Sequence, residues 1–217
     1  MNIRTYIFTY DRPKMVKEVQ VHLLKHGLNP IIIDDETEPS LDLPNVRTHM
    51  HRGKKGFWLS WHEVLKDCKN NPADMYLFTV DDFQNLDVKG IIRRHKKLTK
   101  KGAYVHNIIN DGRNDKCWTT IRQIKLSNNL WRIGWTDCAF FCNREALDRI
   151  GYYMHSPQEN WFNIRENISS GVGMMLTKRL NSARVPIYRP EYSLALHGDH
   201  ESKMHGKHRE QTKLISR

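Results

Sequence analysis

Asp74-Met75-Tyr76-Leu77-Phe78-Thr79-Val80-Asp81-Asp82-Phe83 is the stretch that decides how the chain is read. A short apolar run rich in aromatic and β-branched residues, with Pro72 upstream and polar residues downstream, has the pattern of a strand buried on both faces. Such a strand delivers Asp81 and Asp82 to a sheet edge, and open α/β sheets bind ligands at their carboxyl edge. Adjacent carboxylates repel, so they belong in water or beside a cation. A hard divalent ion, Mg²⁺ or Mn²⁺, that also grips a substrate diphosphate meets that need. The plainer alternative is that the two acids cap a helix starting near Asn85.

Upstream, residues 3–10 form a β-rich run that ends at Asp11-Arg12-Pro13, a turn and helix-start signature. Over 14–26, Met15, Val16, Val19, Leu23 and Leu24 recur at helical spacing, and Gly27 stops the helix. A second strand at 31–33 runs into Asp34-Asp35. This β-α-β opening, with acids after the second strand, is the pattern of a nucleotide-binding α/β domain. A glycine-rich dinucleotide fingerprint is absent, which argues against a dehydrogenase. A loop at 36–44 and a short strand at 46–48 lead to Arg52-Gly53-Lys54-Lys55-Gly56 and a helix over 57–68. Glycines there let backbone N–H groups approach an anion at a helix start. The segment lacks the Gly-Lys-Ser/Thr ending of a Walker loop, and a solvated basic loop fits it equally well.

Downstream, 87–101 reads as an amphipathic helix bearing Arg93, Arg94, Lys96, Lys97, Lys100 and Lys101. Residues 103–109 form a strand and 110–116 a turn, while 117–135 mixes Trp118, Trp131 and Trp135 with cations. A second buried strand covers 134–142 and turns at Asn143 into a helix that stops near Gly151. Residues 152–167 are loop-like and carry Glu159, Trp161 and Glu166. A helix over 172–181, a strand over 185–188 and the segment Ser193-Leu194-Ala195-Leu196-His197-Gly198 precede a basic, His-rich tail. The expectation is one α/β domain over 1–217, with a mixed, mainly parallel Rossmann-like sheet flanked by helices. Residues 1–100 make the nucleotide half, 101–200 the acceptor half and 201–217 the tail.

The chain's 217 residues, 39% hydrophobic, suffice for one buried core. Four cysteines without C-x-x-C spacing point to a reduced, cytoplasmic protein. No apolar run reaches the roughly 20 residues of a membrane span, and the opening Met1-Asn2-Ile3-Arg4 does not read as a signal peptide. Lys and Arg exceed Asp and Glu by 35 to 24, and the net charge of +11 favours a polyanionic partner: nucleic acid, an anionic membrane surface or phosphorylated substrates.

The order of these pieces resembles the GT-A glycosyltransferases. Thr9-Tyr10-Asp11-Arg12-Pro13 is similar to that family's first-strand opening, and Val80-Asp81-Asp82 stands where its DxD or E-D-D metal motif falls. Thr136-Asp137-Cys138-Ala139-Phe140-Phe141-Cys142-Asn143-Arg144 resembles its acceptor-side strand and turn. Ser193-Leu194-Ala195-Leu196-His197-Gly198 is similar to its late S-L-V-x-H-x-G element. The resemblance implies a Mn²⁺- or Mg²⁺-dependent transfer of a sugar from a nucleoside diphosphate sugar, a UDP-sugar first of all, to a hydroxyl acceptor. It places the metal on Asp82 and His197. The donor falls to Thr9, Tyr10, Arg12, Asp34, Asp35 and Asp81, with Lys54 and Lys203 as cationic contacts. Asp137 is the expected base for an inverting reaction, followed by Glu166 and Glu159. Two departures stand out: Val80 replaces the first acid of the motif, and no acid leads the helix near Ser170-Gly171-Val172-Gly173.

The charge extends this expectation to an acceptor inside phage DNA, a hydroxymethylated base taken out of the stack and held against Trp118, Trp131, Trp135 or Trp161. The alternatives are a cell-surface or lipopolysaccharide glycan acceptor, a nucleotidyltransferase, and a non-catalytic nucleic-acid-binding protein. A zinc site built on His22 and His26 has no third ligand within sequence reach.

Overall fold

The computed structural model describes residues 1–35, 40–48, 56–110, 123–136, 139–154 and 170–197. In chain order the elements are β1 (Ile3–Thr9), α1 (Pro13–Lys25), β2 (Ile31–Asp34), β3 (Val46–Thr48), α2 (Gly56–Asn70), β4 (Met75–Val80), β5 (Phe83–Gln84) and α3 (Val88–Leu98). There follow β6 (Val105–Asn107), β7 (Ile124–Ser127), β8 (Leu130–Ile133), β9 (Phe140–Asn143), α4 (Arg144–Ile150), α5 (Ser170–Ser182), β10 (Ile187–Pro190) and β11 (Leu196–His197).

Nine strands make one sheet in the order β3-β2-β1-β4-β9-β6-β10-β8-β7. The strands β1, β2, β3, β4, β6, β7 and β10 share a direction, and β8 and β9 oppose it. The expected mixed, mainly parallel α/β sheet is therefore what forms. On β4, Tyr76 and Phe78 face one side and Met75 and Leu77 the other, all buried. That alternation builds two cores. Trp61, Val64 and Leu65 of α2, Leu147 of α4 and Leu176 of α5 cover one face. Val16, Val19 and Leu23 of α1 and Ile91 of α3 cover the other. Trp61 centres the first core, with ring centroids 4.7 Å from Phe8 and 5.6 Å from Phe140.

One alternative falls away and two expectations are corrected. The acid pair does not cap a helix: β5 intervenes, and Asp87 caps α3 by accepting a hydrogen bond from Gly90 N at 2.8 Å. The segment 117–135 was expected as aromatics among cations, yet it contains the hairpin β7–β8, turning at Asn128-Asn129. The second buried strand begins at Phe140 instead of 134.

β9 runs antiparallel between β4 and β6, pairing Met75 with Asn143 and Phe78 with Phe140. β5 and β11 form a separate two-stranded sheet in which Phe83 pairs with His197.

Candidate functional site

The carboxyl edge of the parallel strands gathers most of the described candidates. Asp81 N donates to Phe8 O at 3.1 Å, and Asp35 N donates to Thr9 O at 3.0 Å, so the ends of β4 and β2 close on the end of β1. Asp11 takes a left-handed backbone (φ 51°), a conformation Asp tolerates better than most residues, and this turn precedes Arg12. Arg12 Nη1 then lies 3.2 Å from Asp81 Oδ1 and 3.4 Å from Asp82 Oδ2. The Thr9 hydroxyl donates to Asp81 Oδ2 at 2.7 Å. All four groups are buried or nearly so: Asp81 and Asp82 are 7% and 5% exposed and Thr9 5%.

Two carboxylates this close, withdrawn from water, cannot both ionise without compensation. Burial, followed by the like charge of Asp82, pushes the Asp81 carboxyl up to about 6, against the pull of Thr9 and Arg12. Arg12 supplies the positive charge that this pair demands. The constellation has the chemistry of a cation or polyphosphate site: hard oxygen donors, and a guanidinium able to hand its hydrogen bonds to phosphate oxygens.

Asp34, fully buried, ends β2 in register with Thr9. Tyr10 is 46% exposed beside it. His197 is brought to the same edge through its pairing with Phe83, the residue after Asp82. Lys54, Asp137, Glu166 and Lys203 lie outside the described residues. The described neighbours of Asp137 are tied to the end of β6. Thr136 Oγ1 donates to Asn107 Oδ1 at 2.6 Å, Thr136 N donates to Thr177 Oγ1 at 2.9 Å, and Ala139 O accepts from Ile108 N at 3.2 Å. This Asn107–Thr136–Thr177 network was not anticipated, because it joins three elements and leaves no periodic mark in the sequence.

Other expectations resolve as structure. His22 Nε2 lies 2.8 Å from Leu86 O, and its ring sits 4.9 Å from that of His26. Among the described residues no three His, Cys, Asp or Glu side chains are grouped to hold a metal. Trp131 is engaged within the fold: its Nε1 donates to Glu191, and Lys125 and Arg189 lie 5.4 and 5.2 Å from its ring centre. Trp118 and Trp161 lie outside the described residues. No described helix is long and apolar enough to cross a membrane.

No family model matches the sequence, and the comparison with curated proteins gave no match. Among solved structures, the chain is similar to CMP:2-keto-3-deoxy-manno-octonic acid synthetase complexed with CTP, with a TM-score of 0.50 at 11% identity over 91% of this chain and 92% of that one. A197 from STIV aligns with a TM-score of 0.47 at 10% identity, over 91% of this chain and 85% of that one. A mycobacterial protein aligns at 0.47 and 10%, over 87% and 64%. At these identities the likeness to the synthetase speaks for the α/β fold alone.

Proposed function

We propose that the chain is a transferase that works on a nucleotide-linked sugar and passes the sugar to a hydroxyl acceptor. The observation that carries this reading is the Thr9–Asp81–Arg12–Asp82 cluster at the carboxyl edge of β1, β2 and β4. In an open α/β sheet that edge is where a nucleotide lies.

In this reading the base and ribose rest on the ends of β1 and β2, near Tyr10, Asp34 and Asp35. Arg12 turns from the carboxylates toward the diphosphate as negative charge builds on the leaving group. Lys54 and Lys203 add cationic contacts. Asp82 would hold a divalent ion with His197 as second ligand, because a buried carboxylate pair that already binds a guanidinium offers the oxygen donors Mn²⁺ or Mg²⁺ prefers. When bound, such an ion supplies Lewis-acid stabilisation of the diphosphate. Asp137, next to the anchored Thr136, takes the proton of the acceptor hydroxyl, with Glu166 as the second candidate.

The fold shared with a CTP-complexed synthetase favours one second reading, nucleotidyl transfer that activates a sugar. Product analysis separates the two. Incubation with UDP-, GDP- and CMP-sugars and a hydroxyl acceptor should release nucleotide, whereas NTP plus free sugar should release pyrophosphate if the second reading holds. Asp82→Ala should lower turnover by about 10²–10³-fold with the fold retained. Unchanged turnover in EDTA would remove the metal from the scheme. Neither product, with no thermal stabilisation by any nucleotide, would overturn the transferase reading.

A further inference from the structure

A cleft of about 350 Å³ runs along one side of α3, between that helix and the β7–β8 turn. Asp87, Gly90, Arg94 and Lys97 line it at helical spacing, Arg93 joins them, and Ser127 and Asn129 face them from the hairpin. Leu98 and Leu130 give it an apolar floor. Its one carboxylate, Asp87, already accepts the Gly90 N–H as the helix cap.

Three features make the cleft more than a solvated charged face. Elsewhere Arg4, Arg12, Arg47, Arg144 and Arg149 each pair with a carboxylate. Arg93, Arg94 and Lys97 enter no ion pair among the described residues, so three cations line the cleft against one carboxylate, Asp87, whose charge acts on Arg94. Arg94 is also held in place, half-buried with Nη1 donating to Asn129 O at 2.8 Å, which orients its remaining N–H groups. Finally, the cleft shares the carboxyl edge with the acid pair. Leu130, which follows the hairpin turn, pairs with Pro190 at the end of β10, and β10 runs in the direction of β4. Four strand spacings separate β4 from β8, on the order of 19 Å.

We propose that this cleft seats the sugar-phosphate backbone of a nucleic acid, so that one chain of phosphates spans from α3 to the strand ends. A separation of about 19 Å corresponds to about five or six base pairs at 3.4 Å each. A guanidinium fork takes phosphate oxygens bidentately, and Ser and Asn are ordinary partners of phosphate and sugar. Exposed Lys89 and Lys96 extend the positive line along α3, and exposed Lys100 continues it just past the helix end. A membrane surface fits less well, because the apolar residues Val88, Ile91 and Leu98 of this helix are buried in the core and leave nothing to insert. The role of the bound strand as acceptor rests on the proposed transferase; its binding in the cleft does not.

The test is fluorescence anisotropy of the full chain with labelled 20-mer duplex and single-stranded DNA between 50 and 200 mM NaCl. The double variant Arg93→Glu/Lys97→Glu is compared with Lys66→Glu/Lys69→Glu, which reverses two exposed lysines of α2 on the opposite face. Wild type and the α2 variant should show the same steep salt slope. The cleft variant should lose about two units of that slope, at about −0.9 per phosphate contact, and at least about ten-fold in affinity at 100 mM. Melting curves establish that each variant is folded, and Arg94→Gln gives a milder second probe expected to flatten the slope by about one unit. Equal slopes in all proteins would overturn the proposal, as would absent DNA binding together with cleft-dependent binding to phosphatidylglycerol vesicles or heparin. Loss of DNA binding in the cleft variant of a protein that no nucleotide stabilises would support the cleft while removing the transferase reading.

Discussion

Arg12 holds two buried carboxylates with one guanidinium, and this fixes what its removal does. In Arg12→Met the carboxylates face each other without a cation, which should destabilise the fold by about 3–5 kcal/mol at pH 8. The loss should shrink as pH falls toward about 6, because without the pull of Arg12 the Asp81 carboxyl takes its proton at a higher pH than in wild type and the repulsion ends. Added Mn²⁺ should raise the melting temperature of this variant more than that of wild type; an equal rise in both would count against a cation site on the pair. Thr9→Val keeps the shape at this point but leaves Asp81 Oδ2 without the Thr9 hydroxyl, at a cost of about 1–3 kcal/mol. The acids were legible in the sequence because an apolar run ends on them. Their grip by Arg12 was not, since it depends on β1 lying beside β4, and strand neighbours cannot be deduced from periodicity.

Among the elements, α3 shows how a local rule and a local clash combine. Asp87→Ala should cost about 1 kcal/mol through loss of the cap. A Cβ built on Gly90 falls 2.0 Å from Asp87 Oδ2, so Gly90→Ala expels the cap, and its gain in helix propensity, about 1 kcal/mol, is cancelled. In the Asp87→Ala background the same change should stabilise by about that amount. Urea melts of this double-mutant cycle check the coupling, and additive effects would refute it. The helices were legible because 3.6-residue stripes of Val, Ile and Leu repeat along them. The β7–β8 hairpin was not, because all four residues of β7 are exposed and its alternation of Ile124 and Leu126 with Lys125 and Ser127 spans only four positions.

At the scale of the whole molecule, acid should unfold the protein through a histidine remote from the acid pair in sequence. His106 is fully buried in β6, stacked 4.7 Å from the Phe141 ring, and its Nδ1–H donates to Asn107 O at 2.7 Å. Burial, then the charge of Arg94, lowers its folded pKa to about 3, below the ordinary 6.5. The unfolded chain therefore binds a proton from about pH 6.5 downward while the native state refuses it until about 3. Stability should fall across that window by up to about 1.4 kcal/mol per pH unit from this group. Asp81 opposes part of the loss above about 4, because in its case the native state takes the proton first. His106→Gln should flatten the acid limb of stability against pH in denaturant melts; an unchanged limb would assign it to other groups. Sequence composition marked His as abundant, but which imidazole is sealed in the core follows from the three-layer packing.

The pairing of Phe83 with His197 joins positions about half the chain apart. On a ribosome adding about 5–20 residues per second, the acid pair is translated roughly 6–23 s before its partner strand. A nascent chain can thus lay down β1, β2 and β4 long before the small sheet beside the strand ends is complete. In the proposed transferase, donor chemistry would wait until β11 has been made, so a chain still short of His197 could not squander activated sugar on water.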